Sequence, residues 1–444
     1  MDNAGPIKRT VDAIRNSVTL KLFVVGFLTL VLLIPASMVS DLIRERQGRQ
    51  SEVINEIAEK WGQVQTITGP ILTIPFNRPY TRKDGTRGYE LRYAYFLPAT
   101  LGISGTLKSE IRYRGIYKAV LYNSKLALSG EFTRPDFASL DIDPNNALWN
   151  RAFLSLGISD MTGIREVINV TSGNVKFAMN PGIETQDVIM SGVGARLPKG
   201  VGNGSIIPFN LNLDLNGSER ILFVPVGETT QVKLSSDWAT PSFDGAFLPA
   251  EREVNTQGFS AKWKVLHLNR NFPQAWIGER EKLSQASFGV QMFVAADVYQ
   301  QSTRTAKYAM LFIVLTFTTF FFSEIITRRR LHPIQYLLVG FALLIFYSLL
   351  IALSEHIRFG VAYLASSAAV IGLITLYTRW VLSSWRLTAL VGGILIILYG
   401  YLYMILQLED YALLMGSIGL FVALASVMYV TRKINWYGES QTYE

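Results

Sequence analysis

The 444 residues contain no cysteine and only three histidines. Without cysteine there is no disulfide framework, no thiolate nucleophile and no Cys-ligated zinc or iron–sulfur centre. Three histidines supply little for a histidine-based metal site or a catalytic triad. Charge is also scarce, at 17% of residues, against 49% hydrophobic residues and a mean hydropathy of +0.24. Soluble domains carry about 25% charged residues, so this is the composition of a membrane protein. The apolar residues concentrate in one segment near the start and in a block after residue 307. The middle is long enough to build a core of its own.

The net charge of +8 does not indicate nucleic acid. Residues 41–305 hold 29 Lys and Arg against 26 Asp and Glu, a balance of 29 − 26 = +3. Most of the remainder clusters beside the apolar segments, where it sets topology and meets anionic lipid heads.

A span needs about 20 apolar residues. Leu22 to Ser40 is the first candidate, and it reads as an uncleaved anchor. The apolar run to Ile34 followed by Pro35 resembles a signal-peptide core, but cleavage after Ala36 or Ser40 would place Ile34 or Met38 where a small residue is preferred. Five further spans follow: Tyr308 to Ile326, Pro333 to Leu353, Phe359 to Thr378, Leu387 to Leu406 and Tyr411 to Val430. Loops as short as Ser354 to Arg358 and Gln407 to Asp410 make the joined helices antiparallel neighbours.

Lys8, Arg9, Arg15, Lys21, Arg328, Arg329, Arg330, Arg379, Arg386, Arg432 and Lys433 all fall on one side of such a six-span arrangement, and the opposite short loops carry only Arg358. Positive charge marks the cytoplasmic face. Both termini are therefore expected in the cytoplasm and residues 41–306 outside it, which in a bacterium is the periplasm. The expected organisation is a basic tail (1–21), an anchor (22–40), a periplasmic domain (41–306), a five-helix bundle (307–430) and a cytoplasmic tail (431–444).

Between Asp41 and Trp61, Leu42, Val53, Ile54, Ile57 and Trp61 recur at helical spacing, which continues the first span as an amphipathic helix. The period then becomes two, in segments such as QVQTITGPILTIPF, KAVLYNSKLALSGEF and FNLNLDLNG. Turns are expected at Lys83-Asp84-Gly85, Asn203-Gly204, Asn216-Gly217 and Asp244-Gly245, with one short helix near Ala147 to Leu156. The fold class is thus α+β: six transmembrane helices and a large, β-rich antiparallel domain. SGVGARLPKGVGNGS, residues 191–205, lacks the Gly-Lys-Ser/Thr ending of a P-loop and reads as a loop or hinge, with two β subdomains meeting there as one option.

Candidate chemistry is thin. His267 alternates with Trp263 and Val265 and reads as a packed or edge histidine, although any Ser-His-Asp site outside the membrane would have to use it. Asp244, Glu251 and Glu253 offer a carboxylate pair for glycoside hydrolysis, but a turn with solvated charges explains them more simply. Ionisable groups at the membrane edge carry more weight, because burying charge in hydrocarbon is expensive. Glu324 is expected to pair with Arg328 four residues on. His332 reads as a cap for the helix opened by Pro333. Glu355 and His356 in one tight turn, with Glu409 and Asp410 in another, form either an acidic mouth or a structural contact, and the contact is the preferred reading. No charged side chain lies at mid-helix in the last four spans, which disfavours transport. No cofactor is expected.

FFFSEIITRRRLHPIQYLLVGFALLIFYSLLIALSEHIRFGVAYL, LQLEDYALLMGSIGLFVALASVMYVTRKINWY, SSDWATPSFDGAFLPAEREV and FSAKWKVLHLNRNFPQAW together resemble the CreD family of bacterial inner-membrane proteins. The resemblance covers nearly the whole chain. It implies an envelope-integrity role as an output of the CreBC two-component response, linked to colicin tolerance and β-lactam response, and it brings no catalytic residue. The implied partners are the lipid bilayer and envelope proteins or peptidoglycan.

Overall fold

The computed structural model describes residues 18–432 apart from 203, 280–282, 293–297, 328–330 and 409–410. The chain divides into two compact units, one of residues 1–49 with 296–444 and one of residues 50–295.

The helices are α1 (Val18–Trp61), α2 (Val298–Lys307), α3 (Ala309–Thr327), α4 (Pro333–Ser354), α5 (Phe359–Leu382), α6 (Trp385–Gln407) and α7 (Ala412–Thr431). Among the described residues, α1, α4, α5 and α6 are long and apolar enough to cross a bilayer. α2 and α3 make a fifth span if read as one, bent by 42°. The sixth expected span coincides with α7, whose apolar stretch, Leu414–Tyr429, is shorter. α1 runs without a break through Pro35 to Trp61, so the apolar and amphipathic stretches are one helix.

In chain order the strands are β1 (Gln65–Thr81), β2 (Arg87–Phe96), β3 (Thr100–Arg114), β4 (Tyr117–Thr133), β5 (Phe153–Ile158) and β6 (Asn169–Ser172). Next come β7 (Val175–Ala178), β8 (Asn180–Pro181), β9 (Gly192–Arg196), β10 (Ile206–Ser218), β11 (Arg220–Val224) and β12 (Thr229–Ser236). The last are β13 (Pro241–Gly245), β14 (Glu251–Asn255), β15 (Gly258–Leu266), β16 (Ala275–Ile277) and β17 (Phe288–Met292).

One sheet runs β13-β17-β11-β1-β5-β9-β8, with β2 paired to β1 and β16 to β2; the other runs β14-β15-β12-β3-β4-β10-β6-β7. Apolar residues of both sheets join in one core, and Phe243 and Phe288 of the first meet Trp263 of the second at ring-centroid distances of 5.8 Å. The result is a sandwich. Pairing is antiparallel except for β1 with β11 and β3 with β12. Those exceptions arise because the chain switches sheets: Glu219, at φ 57°, carries it from β10 directly into β11.

Several expectations need correction. Both sheets draw strands from before residue 184 and after 205, so the glycine-rich stretch does not separate two subdomains, and part of it is strand β9. The helix expected near Ala147 to Leu156 is a single turn at Trp149–Arg151 followed by β5, whose six residues are all buried. A continuously apolar strand has no period to distinguish it from a buried helix. Lys83-Asp84-Gly85 does turn. Asn216-Gly217 instead lies inside β10, where a Cβ on Gly217 would collide with the buried Tyr122 ring. Asp244-Gly245 likewise closes β13.

Candidate functional site

The membrane-edge residues gather at the two ends of α4. α1 brings a cation to each cluster: Lys21 and Arg46 are 46 − 21 = 25 residues apart, about 38 Å of helix.

In the first cluster, Lys21 Nζ donates to Glu324 Oε1 at 2.6 Å and Tyr336 Oη donates to Oε2 at 3.2 Å. Both carboxylate oxygens are therefore engaged, as a carboxylate only 5% exposed requires. Phe317 meets the Tyr336 ring edge-on at 5.4 Å, and Leu32 of α1 lies against Gly340, so α1, α3 and α4 interlock here. Arg328, the expected partner of Glu324, lies outside the described residues.

His332 is the N-cap of α4. Its Nδ1 accepts from the Ile334 amide at 3.4 Å, while Gln335 Oε1 accepts from the His332 amide at 2.9 Å, and Pro333 takes the position where an N–H is not needed. This is the capping role read from the sequence.

In the second cluster, at the other end of α4, Glu355 Oε1 accepts from Tyr299 Oη at 2.9 Å and lies 3.8 Å from Arg46 Nη1. Its neighbour His356 is exposed in the turn. Glu409 and Asp410 lie outside the described residues.

In the β-rich unit the candidate catalytic groups are dispersed. His267 begins a turn just after β15, so it does not share the buried face of Trp263 and Val265; its Nδ1 lies 3.9 Å from Glu228 and the side chain is half exposed. Asp244 receives a hydrogen bond from Arg220 at 2.8 Å, which holds its carboxyl below the ordinary range. Glu251 is held down in the same way by Lys262. Asp244 and Glu251 lie on different sheets, and both favour the charged form, whereas glycosidic acid catalysis needs one carboxyl raised. Among the described residues no group of three or more His, Asp or Glu gathers as a metal site.

Sequence reasoning missed Arg270. Only 8% exposed, it donates to the carbonyls of Phe272 and Val226 and to Gln274, and burial pushes its guanidinium down to about 10. Gln274 passes the network on to the Pro98 carbonyl at 3.1 Å, so a buried cation ties together three chain segments.

The family described as inner membrane protein CreD matches residues 17–437. The chain belongs to this family. Inner membrane protein CreD of Escherichia coli K12 is 35% identical over 418 residues, covering 93% of this chain and 92% of that protein. A CreD relationship of this extent places both the apolar helices and the β sandwich within a family of inner-membrane proteins.

Proposed function

We propose that this CreD-family chain is a non-enzymatic envelope-integrity module that acts through its β-rich domain on the periplasmic side. In this reading six spans hold the domain, both termini are cytoplasmic, and the chain is an output of a CreBC-type two-component response. Envelope proteins or peptidoglycan are the partners. One observation carries the reading: Glu324 and Glu355, the membrane carboxylates that a transport or catalytic mechanism would use, are each committed to two partners within the helix unit. Such groups act as clamps that hold α1 against the other helices.

A second reading, an ion-coupled transporter or channel, is favoured by three hydroxyls in the bundle. Tyr347, Ser366 and Tyr399 are 2%, 0% and 2% exposed, and among the described residues their oxygens have no hydrogen-bond partner. Buried hydroxyls normally find partners, water included.

Sensitivity to detergent and to a colicin distinguishes the two in cells carrying Glu324→Gln, Glu355→Gln or His356→Ala at matched membrane levels. Protection retained in all three supports the periplasmic module. Protection lost in a folded variant supports ion handling.

A further inference from the structure

A cavity of about 340 Å³ opens on the β sandwich where the β1–β2 hairpin meets the turns that follow β4. Its floor is apolar, formed by Phe76 and Ile142, 4% and 5% exposed. Its walls carry opposite charges from different elements. Arg78 on β1 and Arg92 on β2 share one face of the ribbon, because Phe76 pairs with Arg92 and Arg78 with Glu90. Asp141 and Asp143 come from the turns opposite.

The two walls do not neutralise each other. Neither arginine lies within ion-pair distance of either aspartate; Arg92 bonds its own strand neighbour Glu90 at 3.0 Å, and its buried Nε has no partner among the described residues. Asp143 uses Oδ1 to cap the Asn145 amide at 2.9 Å, while Asp141 is held in the left-handed region at φ 55°. Asp141 thus lines the open space from a left-handed backbone position, one that aspartate adopts more readily than most residues.

Opposite charges that line one cavity without meeting are complementary to a ligand carrying both signs. The volume is at the lower end of ligand pockets, which run from about 300 to 1,000 Å³. We propose that this cavity binds a small zwitterion, an α-amino acid or a short peptide, with its carboxylate on Arg78 and Arg92 and its ammonium on Asp141 and Asp143. Arginine suits the carboxylate end because its planar fork can bond both oxygens.

The test is calorimetric titration of the full-length protein in detergent with glycylglycine, N-acetyl-glycylglycine and glycylglycine amide. Glycylglycine should bind, and blocking either end should weaken it about tenfold, the worth of a hydrogen bond to a charged group. Arg78→Gln should shrink the penalty for amidation and leave that for acetylation; Asp141→Asn should do the reverse. Both positions are exposed, so the variants should unfold at the wild-type temperature. No binding at up to about 10 mM, a range that covers even weak sites, would overturn the assignment, as would equal binding of the three compounds.

Discussion

Lys21 and Glu324 show how far a single contact can be from what sequence spacing indicates. The pair spans 303 positions, so no local rule finds it, and the nearer Arg328 was the natural choice. Glu324 is 5% exposed and Lys21 about one-third, so among the described residues Lys21→Ala leaves a buried carboxylate with Tyr336 as its partner. Loss of about 3 kcal/mol is expected, read as a drop in thermal unfolding temperature in detergent. The Arg46–Glu355 pair is longer, at 3.8 Å, and Arg46 is 43% exposed. Arg46→Ala should cost less than about 1 kcal/mol in the same measurement.

His332, by contrast, was legible, because a His-Pro-x-Gln run places an acceptor, a donor-free first residue and a reciprocal side chain at the spacing that a helix start demands. His332→Ala should cost about 1 kcal/mol and His332→Asn much less. Exposed carboxylates also have a readable consequence. Arg220 holds Asp244 below the usual 3.8. Burial pushes Asp237 up, but hydrogen bonds from Ser109 overcome it and bring that carboxyl below 3.8 as well. A carboxyl depressed in the folded state stabilises above its unfolded pKa and loses that contribution as pH falls. Acid titration should therefore show constant stability above about pH 5 and a decline below about pH 4, and Asp244→Asn should make the decline shallower.

Among the elements, long alternating strands were plain in the sequence, and so was the continuation of the first span into an amphipathic helix. β5 was lost because it is buried on both faces and so has no alternation. Gly217 misled for a related reason: glycine marks turns, but here it provides room for the Tyr122 ring. The β1–β2 hairpin offers a direct test of element independence. Beyond Phe76, its strands pair only with each other, from Asn77–Leu91 to Thr81–Arg87, and most of this ribbon is exposed. Replacing residues 80–88 by Asn-Gly should keep the unfolding temperature within about 3 °C, since little buried area is removed. A large drop would mean that the ribbon packs against the sandwich in solution.

For the whole molecule, composition was the most informative feature: scarce charge, absent cysteine and clustered arginines indicated a membrane protein carrying a soluble domain, and CreD-family membership agrees. The cavity was not legible, because Arg78, Arg92, Asp141 and Asp143 converge only once β1, β2 and the following turns are assembled. The cysteine-free chain makes the proposed sidedness simple to check. Thr86→Cys should react with a membrane-impermeant maleimide in spheroplasts, and Ser384→Cys only after lysis.

The account depends most on Glu324 being a clamp rather than a group that handles ions. The decisive measurement is colicin and detergent resistance in cells carrying Lys21→Glu, Glu324→Lys, or both, at matched membrane levels. A clamp predicts that each single reversal lowers the unfolding temperature, and resistance with it, and that the double recovers both, because the ion pair is restored with its ends exchanged. A double variant that is folded, present at the wild-type level and as sensitive as Glu324→Lys alone would contradict it.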